Sequence, residues 1–248
     1  MEKREKWFRN RGYLHLSPKL DLDSYSDAVK KKVSDPDYVK SHSFFPLIHS
    51  FLKERRFKLN QKTGKKSHID HKGKSTAKIR PLHFASHLDS MIFGYYADQL
   101  KELYEEALLK SPKVSECITA YRQIPLDSEK NKSTIHFAKE AFDHIKSQVI
   151  KEDECVVLKF DIKKYFSSIN HKLLKESWCE LLEVSKLPED HYKVFKASTK
   201  FSYVLKDELR ERSAFKGRKA GFDEKKLSEN RKKGIESFFE NAKDFREV

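Results

Sequence analysis

Glycine, proline and cysteine are all scarce in this chain. Its 248 residues include 7 glycines, 7 prolines and 3 cysteines. So few turn-forming residues argue against a β-sandwich and favour a mostly helical protein. Cys117, Cys155 and Cys179 lie far apart with no Cys-x-x-Cys spacing, so neither a disulfide framework nor a zinc site is expected. Cys155 stands in an apolar run, where we expect a small core residue.

Long apolar runs are also missing. The N-terminal sequence MEKREKWFRNRGY lacks the apolar segment of a secretory signal, and no stretch approaches membrane-spanning length. No internal repeat or low-complexity tract is present. The sequence therefore predicts a cytoplasmic protein that does not enter a membrane.

Positive charge is what the chain has in excess. Its 52 lysines and arginines outnumber 38 acidic residues, which gives a formal net charge of +14. A balance this basic favours a polyanionic partner, and nucleic acid is the commonest. Composition alone is equally compatible with a solvated lysine surface that binds nothing.

The charge is concentrated in residues 53–80. This stretch holds eleven basic and two acidic residues, a net charge of +9. Two glycines, Gly64 and Gly73, lie between candidate strands at 56–59 and 78–82. We predict a basic β-hairpin that presents lysines to phosphates; the alternative is a disordered basic loop.

Periodicities of three and four residues predict several amphipathic helices. Ser86 and Asp89 resemble a capping box at the start of the clearest of them. The last helix is expected to have little to pack against. The predicted helices cover 44–52, 88–108, 134–149 and 174–182, a segment that starts at Pro188, and 230–247.

One apolar run has the length and composition of a buried strand. Residues 155–160 read CVVLKF and end at Asp161. A carboxylate at the end of a buried strand is a recurrent way to hold a divalent metal. Taken alone, such an aspartate equally well caps a turn.

Longer strings around this aspartate resemble a known family. FDIKKYFSSINHKLL (160–174) is similar to the first catalytic motif of reverse transcriptases, an Asp followed five residues later by an aromatic residue. KIRPLHFASHLDSMIFGYYADQLKELYEEALL (78–109), ITAYRQIP (118–125) and STIHFAKEAFDHI (133–145) resemble the preceding fingers elements in the same order. RNRGYLHLSP, near the N-terminus, resembles bacterial reverse transcriptases of antiphage defence.

The resemblance implies roles for individual residues. Asp161, with the carbonyl of Ile162, would bind Mg²⁺ for nucleotidyl transfer from dNTPs, and Phe166 would exclude a ribose 2′-OH. The triphosphate would be held by Arg80, Lys78 and Lys74. RNA template and DNA product would contact Lys62, Lys65, Lys66, Lys72 and Arg122.

Each of these residues also has a plainer interpretation. Phe166 is equally a core residue and Arg80 a solvated charge. A metal role for His83 and His87 is disfavoured, because a strand-to-helix boundary is expected between them.

The sequence lacks the rest of such an enzyme. It contains no Asp-Asp dipeptide, although a two-metal site needs more than one carboxylate. Three explanations stay open: an N-terminal fragment, which we favour; one chain of a split enzyme completed by a second; or a degenerate relative that binds nucleic acid without polymerising. An unrelated basic nucleic-acid-binding protein is the alternative class.

The predicted fold is α/β, with helix-rich fingers and a basic β-hairpin that lead into an incomplete polymerase palm. Its segments are an N-terminal extension (1–60), fingers (61–150) and the start of the palm (151–248). The palm strand would lack a partner, so we expect poor stability in isolation.

Overall fold

The computed structural model describes residues 5–61, 63–70, 72–128, 130–162, 165–210, 229, 232–239 and 245. Contacts divide the chain into two compact units, of which one comprises Met1–Tyr96 with Pro188–Val248 and the other Ala97–Leu187. These units do not coincide with the segments predicted from the sequence, which remain predictions.

Helices and strands are mixed along the chain, which confirms the α/β class at this coarse level. The helices are α1 (Ser26–Ser34), α2 (Pro36–Ser41), α3 (His87–Leu109), α4 (Pro112–Cys117), α5 (Thr134–Glu152), α6 (His171–Leu181), α7 (Glu189–Thr199) and α8 (Lys206–Arg210). The strands are β1 (Leu47–Glu54), β2 (Lys58–Leu59), β3 (Lys66–Ser67), β4 (Lys78–Phe84) and β5 (Tyr203–Leu205). Within the described ranges, no helix is both long and apolar enough to cross a membrane.

A three-stranded sheet organises the first unit. Its order is β4-β1-β5, with β1 antiparallel to β4 and parallel to β5. The predicted helix at 44–52 is therefore wrong, because most of that segment is strand β1. Ile48 is buried on one face of β1 and the half-buried His49 lies on the other, and pairing on both sides of the strand outweighs the local helical spacing.

The buried face of the sheet covers a small apolar core. Ile48 packs with residues from both ends of the chain, namely Leu14, Leu16, Leu209, Phe238 and Phe239. The predicted helix 230–247 is interrupted: Lys232 and Phe245 are helical, but residues 233–239 are not. Gly234 has a φ of 90°, and the Phe238 N–H donates to the His15 carbonyl at 2.9 Å. The two buried phenylalanines therefore anchor this segment, which was expected to have little to pack against, and Phe245 packs against the same core.

Helix α3 confirms the clearest helix in the sequence. The Ser86 hydroxyl accepts a hydrogen bond from the Asp89 N–H at 3.1 Å, which is one half of the expected capping box. The Asp89 carboxylate turns elsewhere: it accepts from the Phe45 N–H at 2.9 Å and lies 2.7 Å from His42 Nε2. The start of α3 is thereby fixed to the residues that enter β1.

A second buried contact joins α3 to α7. The Tyr96 hydroxyl donates to Asp190 Oδ2 at 2.6 Å, which gives this buried carboxylate a hydrogen-bond partner. Helix α7 follows Pro188, as the sequence predicts, and begins with Glu189 and Asp190 in its first turn.

Helices α5 and α6 belong to the second unit and confirm the predicted helices there. The Asn170 side chain caps α6 by accepting from the N–H groups of Lys172 and Leu173. The predicted buried strand at 155–160 is wrong: these residues form no strand, and Phe160 is 86% exposed. No strand lies beside them among the described residues, so their backbone groups lack a ladder partner. Cys155 is exposed and is not a core residue.

Candidate nucleic-acid interface

The basic stretch, residues 53–80, extends beyond the sheet and is called the lysine arm below. Strand β1 pairs with β4 as far as Glu54 opposite Lys78, and β2 pairs with β3 in a separate two-stranded ribbon. The predicted hairpin is correct in being β-structured but wrong in its pairing, because residues 58–59 meet 66–67 and not β4. Two tight turns cause this: Gly64 and Gly73 have positive φ values of 64° and 75°, which favour glycine.

The arm exposes its lysines. The second turn is held by Asp70 Oδ1, which accepts from the Lys72 and Lys74 N–H groups at 2.8 and 2.9 Å. The side chains stay in solvent and, within the described residues, form no ion pair. They are Lys65, Lys66, Lys72, Lys74 and Lys78. Lys62 lies outside the described residues.

Arg80 already has a partner. Its Nε lies 3.0 Å from Glu54 Oε1, and Arg56 approaches the other oxygen of the same carboxylate at 3.6 Å. Two guanidinium groups thus share one acid on an exposed part of the sheet. Contact between Arg80 and a triphosphate would require exchange of this ion pair, which is weak in solvent.

Arg122 is more fully engaged. Its guanidinium pairs with both oxygens of Glu105, at 3.0 Å for Nε–Oε1 and 2.8 Å for Nη2–Oε2. Nη1 donates to the carbonyls of Ser115 and Ile118 at the end of α4, at 2.7 and 2.9 Å. The hydrogen bond between the two side chains raises the pKa of Arg122 and lowers that of Glu105. This geometry fixes the loop after α4 and leaves few donors for nucleic acid.

The residues that match the catalytic motif are exposed. Asp161 and Ile162 follow the unpaired segment, and Phe166 lies in a short 3₁₀ helix (Tyr165–Ser168) with 71% of its surface accessible. The Phe166 ring meets the Tyr165 ring edge to face at 5.3 Å. The metal role of Asp161 and the steric role of Phe166 therefore remain predictions.

The described residues do not fit a magnesium ion by themselves. Mg²⁺ requires several oxygen ligands in near-octahedral geometry. Among the described residues, no three His, Cys, Asp or Glu side chains converge as a metal site requires. Asp161 can supply one carboxylate, and the others would have to come from outside the part of the chain that the structure describes.

A hollow of about 670 Å³ in the second unit is unsuited to binding a phosphate. It lies between α3 and the end of α6, and Glu106, Glu180 and Glu183 line it with Lys110. Three carboxylates repel a phosphate, so this hollow is a poor site for nucleic acid.

An aromatic surface in the first unit was not predicted from the sequence. On the sheet face opposite Ile48, the His49 and His83 rings pair at 4.6 Å, and Tyr203 lies 5.2 Å from His49. Beside them, Arg11 and Tyr13 line a second hollow with His83. No period-two signal in the sequence reveals this face, because LIHSFLKE has two apolar residues followed by two polar ones, repeated, which is closer to a helical spacing.

Comparison with known proteins adds no relative. A scan against models of protein families gives no match for this chain, and a search of curated proteins gives none either. The resemblance to reverse transcriptases therefore rests on the sequence strings alone.

Proposed function

We propose that this chain is part of an RNA-directed DNA polymerase of the reverse-transcriptase type, which uses Mg²⁺ and dNTPs. The observation that carries the proposal is the arrangement of 78–109: an Arg-Pro-Leu strand, β4, leads directly into the 23-residue helix α3. The lysine-rich arm precedes this unit, and α5 precedes Asp161, in the order of the family's fingers and first catalytic motif.

In this proposal the chain supplies the nucleic-acid-handling surface and one carboxylate. The arm lysines contact template and product backbones, and Asp161 contributes to the metal site. The remaining carboxylates come from residues outside the described part or from a second chain. A role in antiviral defence follows only from the string RNRGYLHLSP and is part of the same proposal.

Thermal unfolding with nucleotide tests this function. We expect dNTP with Mg²⁺ at about a hundred times its dissociation constant to raise the melting temperature by several degrees, since such saturation stabilises by about 2.7 kcal/mol. Asp161→Asn should remove the shift. Asp153→Asn, which alters an exposed acid at the left-handed end of α5, should keep it.

A non-catalytic nucleic-acid-binding protein is the second candidate. The exposed lysines of the arm favour this candidate equally. The position of Asp161 on an unpaired segment is also compatible with a residue that has no catalytic role. This candidate gives no Mg²⁺-dependent stabilisation by dNTP, so an absent shift in the wild-type protein selects it over the polymerase.

A further inference from the structure

Arg11 is a partly buried cation with only neutral partners. Its Nε donates to the Ser90 hydroxyl at 3.0 Å and its Nη2 to the Ser90 carbonyl at 3.3 Å. The Arg11 backbone N–H donates to His87 Nδ1 at 3.1 Å. Within the described residues no carboxylate pairs with this guanidinium, whose five N–H donors exceed the two that Ser90 receives.

Aromatic residues line the same hollow as this guanidinium. The hollow that it lines measures about 470 Å³ and is also lined by Tyr13, His83 and Phe93. Tyr13 is held rigidly: its ring stacks on His87 with centroids 5.8 Å apart, and its hydroxyl donates to the Ala85 carbonyl at 2.8 Å. The site is therefore formed in advance and does not need a ligand to order it.

The aromatic lining continues onto the outer sheet face. His83 lies 4.9 Å from Phe201 and 5.6 Å from Tyr203, and His49 lies 4.7 Å from Phe51. Phe51 is 62% exposed and Tyr203 55%, although burying such rings is favourable. Exposed rings on a sheet are a surface on which unpaired bases stack.

The charge on this face suits a polyanion. Its strand positions, read from the register, carry Lys53 and no acidic residue. Glu54 points to the opposite face, where Arg80 engages it. The buried Asp89 carboxylate, next in sequence to Ser90, is paired with His42 and the Phe45 N–H.

We propose that the Arg11 hollow and the adjoining sheet face bind single-stranded nucleic acid, with a phosphate on Arg11 and unpaired bases against His83, His49 and Tyr203. A duplex would offer the phosphate but not the bases. The site shares no residue with the Asp161 motif or with the lysine arm, and it rests on the proposed function only in the choice of nucleic acid as the ligand.

Fluorescence anisotropy with a labelled 12-nucleotide single-stranded RNA, without dNTP or Mg²⁺, tests the proposal over a range of salt concentrations. Arg11→Gln should weaken binding about tenfold, as expected for the loss of a charged hydrogen bond, and lower the slope of log K against log salt by about one. Arg9→Gln is the matched control, because it removes the same charge from an exposed side chain two residues away; its effect should be less than about threefold.

Base stacking is tested separately with Tyr203→Leu, which keeps an apolar side chain but removes the ring. This substitution should lower the affinity for the single strand about fivefold or more and leave the affinity for a duplex of the same sequence nearly unchanged. If Arg11→Gln does not fold, Arg11→Lys replaces it, with weaker binding but an unchanged salt slope expected.

Three outcomes would each overturn the proposal. Arg11→Gln and Arg9→Gln could weaken RNA binding equally, or Tyr203→Leu could weaken single-strand and duplex binding equally. The third outcome is an unchanged RNA affinity in both Arg11→Gln and Tyr203→Leu. The last result would leave the face to a protein partner. Because the assay contains no polymerase substrates, the polymerase proposal can fail while this one stands, and the reverse.

Discussion

At the scale of single residues, the candidate arginines differ in what already holds them. Arg122 is bound by Glu105, Arg80 shares Glu54 with Arg56, and Arg11 has, among the described residues, neutral partners in Ser90. The sequence gives each charge but not its partner, because Ser90 stands 79 residues from Arg11. The prediction of Arg80 and Arg122 as ligand-binding residues came from motif position, whereas Arg11 is identified only by the tertiary structure.

His87 makes the stability of the first unit sensitive to acid. Burial, with the nearby charges of His15, Lys19 and Arg11, lowers its pKa from 6.5 to about 4. Between these values the unfolded chain binds a proton that the folded chain does not, so the free energy of unfolding falls as the pH drops from 6.5 to 4 and is insensitive to His87 above 6.5. We expect a loss of about 1–2 kcal/mol at the acid end after allowing for solvent screening.

Urea denaturation at a series of pH values measures this loss. His87→Gln keeps an acceptor for the Arg11 N–H but cannot titrate. The free energy of unfolding of this variant should therefore fall less steeply as the pH drops, although it should still fall. Burial also lowers the pKa of His15, and that group keeps part of the dependence. An identical pH profile in the variant would contradict the assignment to His87.

At the scale of elements, local patterns predicted the long helices and strands β2 and β4, but failed on strand β1 and on the segment 155–160. Helices α3 and α5 were found from the spacing of their apolar residues, which is a property of each segment by itself. Strand β1 was missed because its two partners, β4 and β5, lie elsewhere in the chain. The segment 155–160 shows the converse, since its apolar, β-branched residues favour a strand but no described strand pairs with it.

The packing of α3 against the N-terminal segment depends on Gly94. A Cβ at this position would lie 2.7 Å from the Trp7 Cβ, which is too close for the two to coexist without a backbone shift. Gly94→Ala should therefore destabilise the protein by about 1–3 kcal/mol, although alanine is the better helix former.

Gly12→Ala is the control for that substitution, because a Cβ there meets no atom within 4 Å. Its free energy of unfolding should change by less than about 0.5 kcal/mol. Chemical denaturation of both variants makes the comparison, and a Gly94→Ala protein as stable as the wild type would show that this contact does not limit the packing.

At the scale of the whole molecule, charge and surface indicate a partner more clearly than a reaction. The net charge of +14 and the exposed lysines of the arm favour a polyanion. The exposed apolar residues of 155–162 leave a surface that a neighbouring strand would cover. Both features are compatible with the proposed polymerase, and the sequence could predict its metal site only as far as Asp161, because it contains no Asp-Asp pair.

RNA-templated DNA synthesis by the protein expressed from its native gene tests the polymerase proposal most directly. Labelled dTTP would be offered with a poly(rA) template and an oligo(dT) primer in the presence of Mg²⁺. We expect incorporation by the wild type, loss by about a thousandfold or more in Asp161→Asn, and near-normal synthesis in Asp153→Asn, with RNA affinity unchanged in all three. Absence of synthesis in the wild type, or full synthesis in Asp161→Asn, would contradict the proposed function.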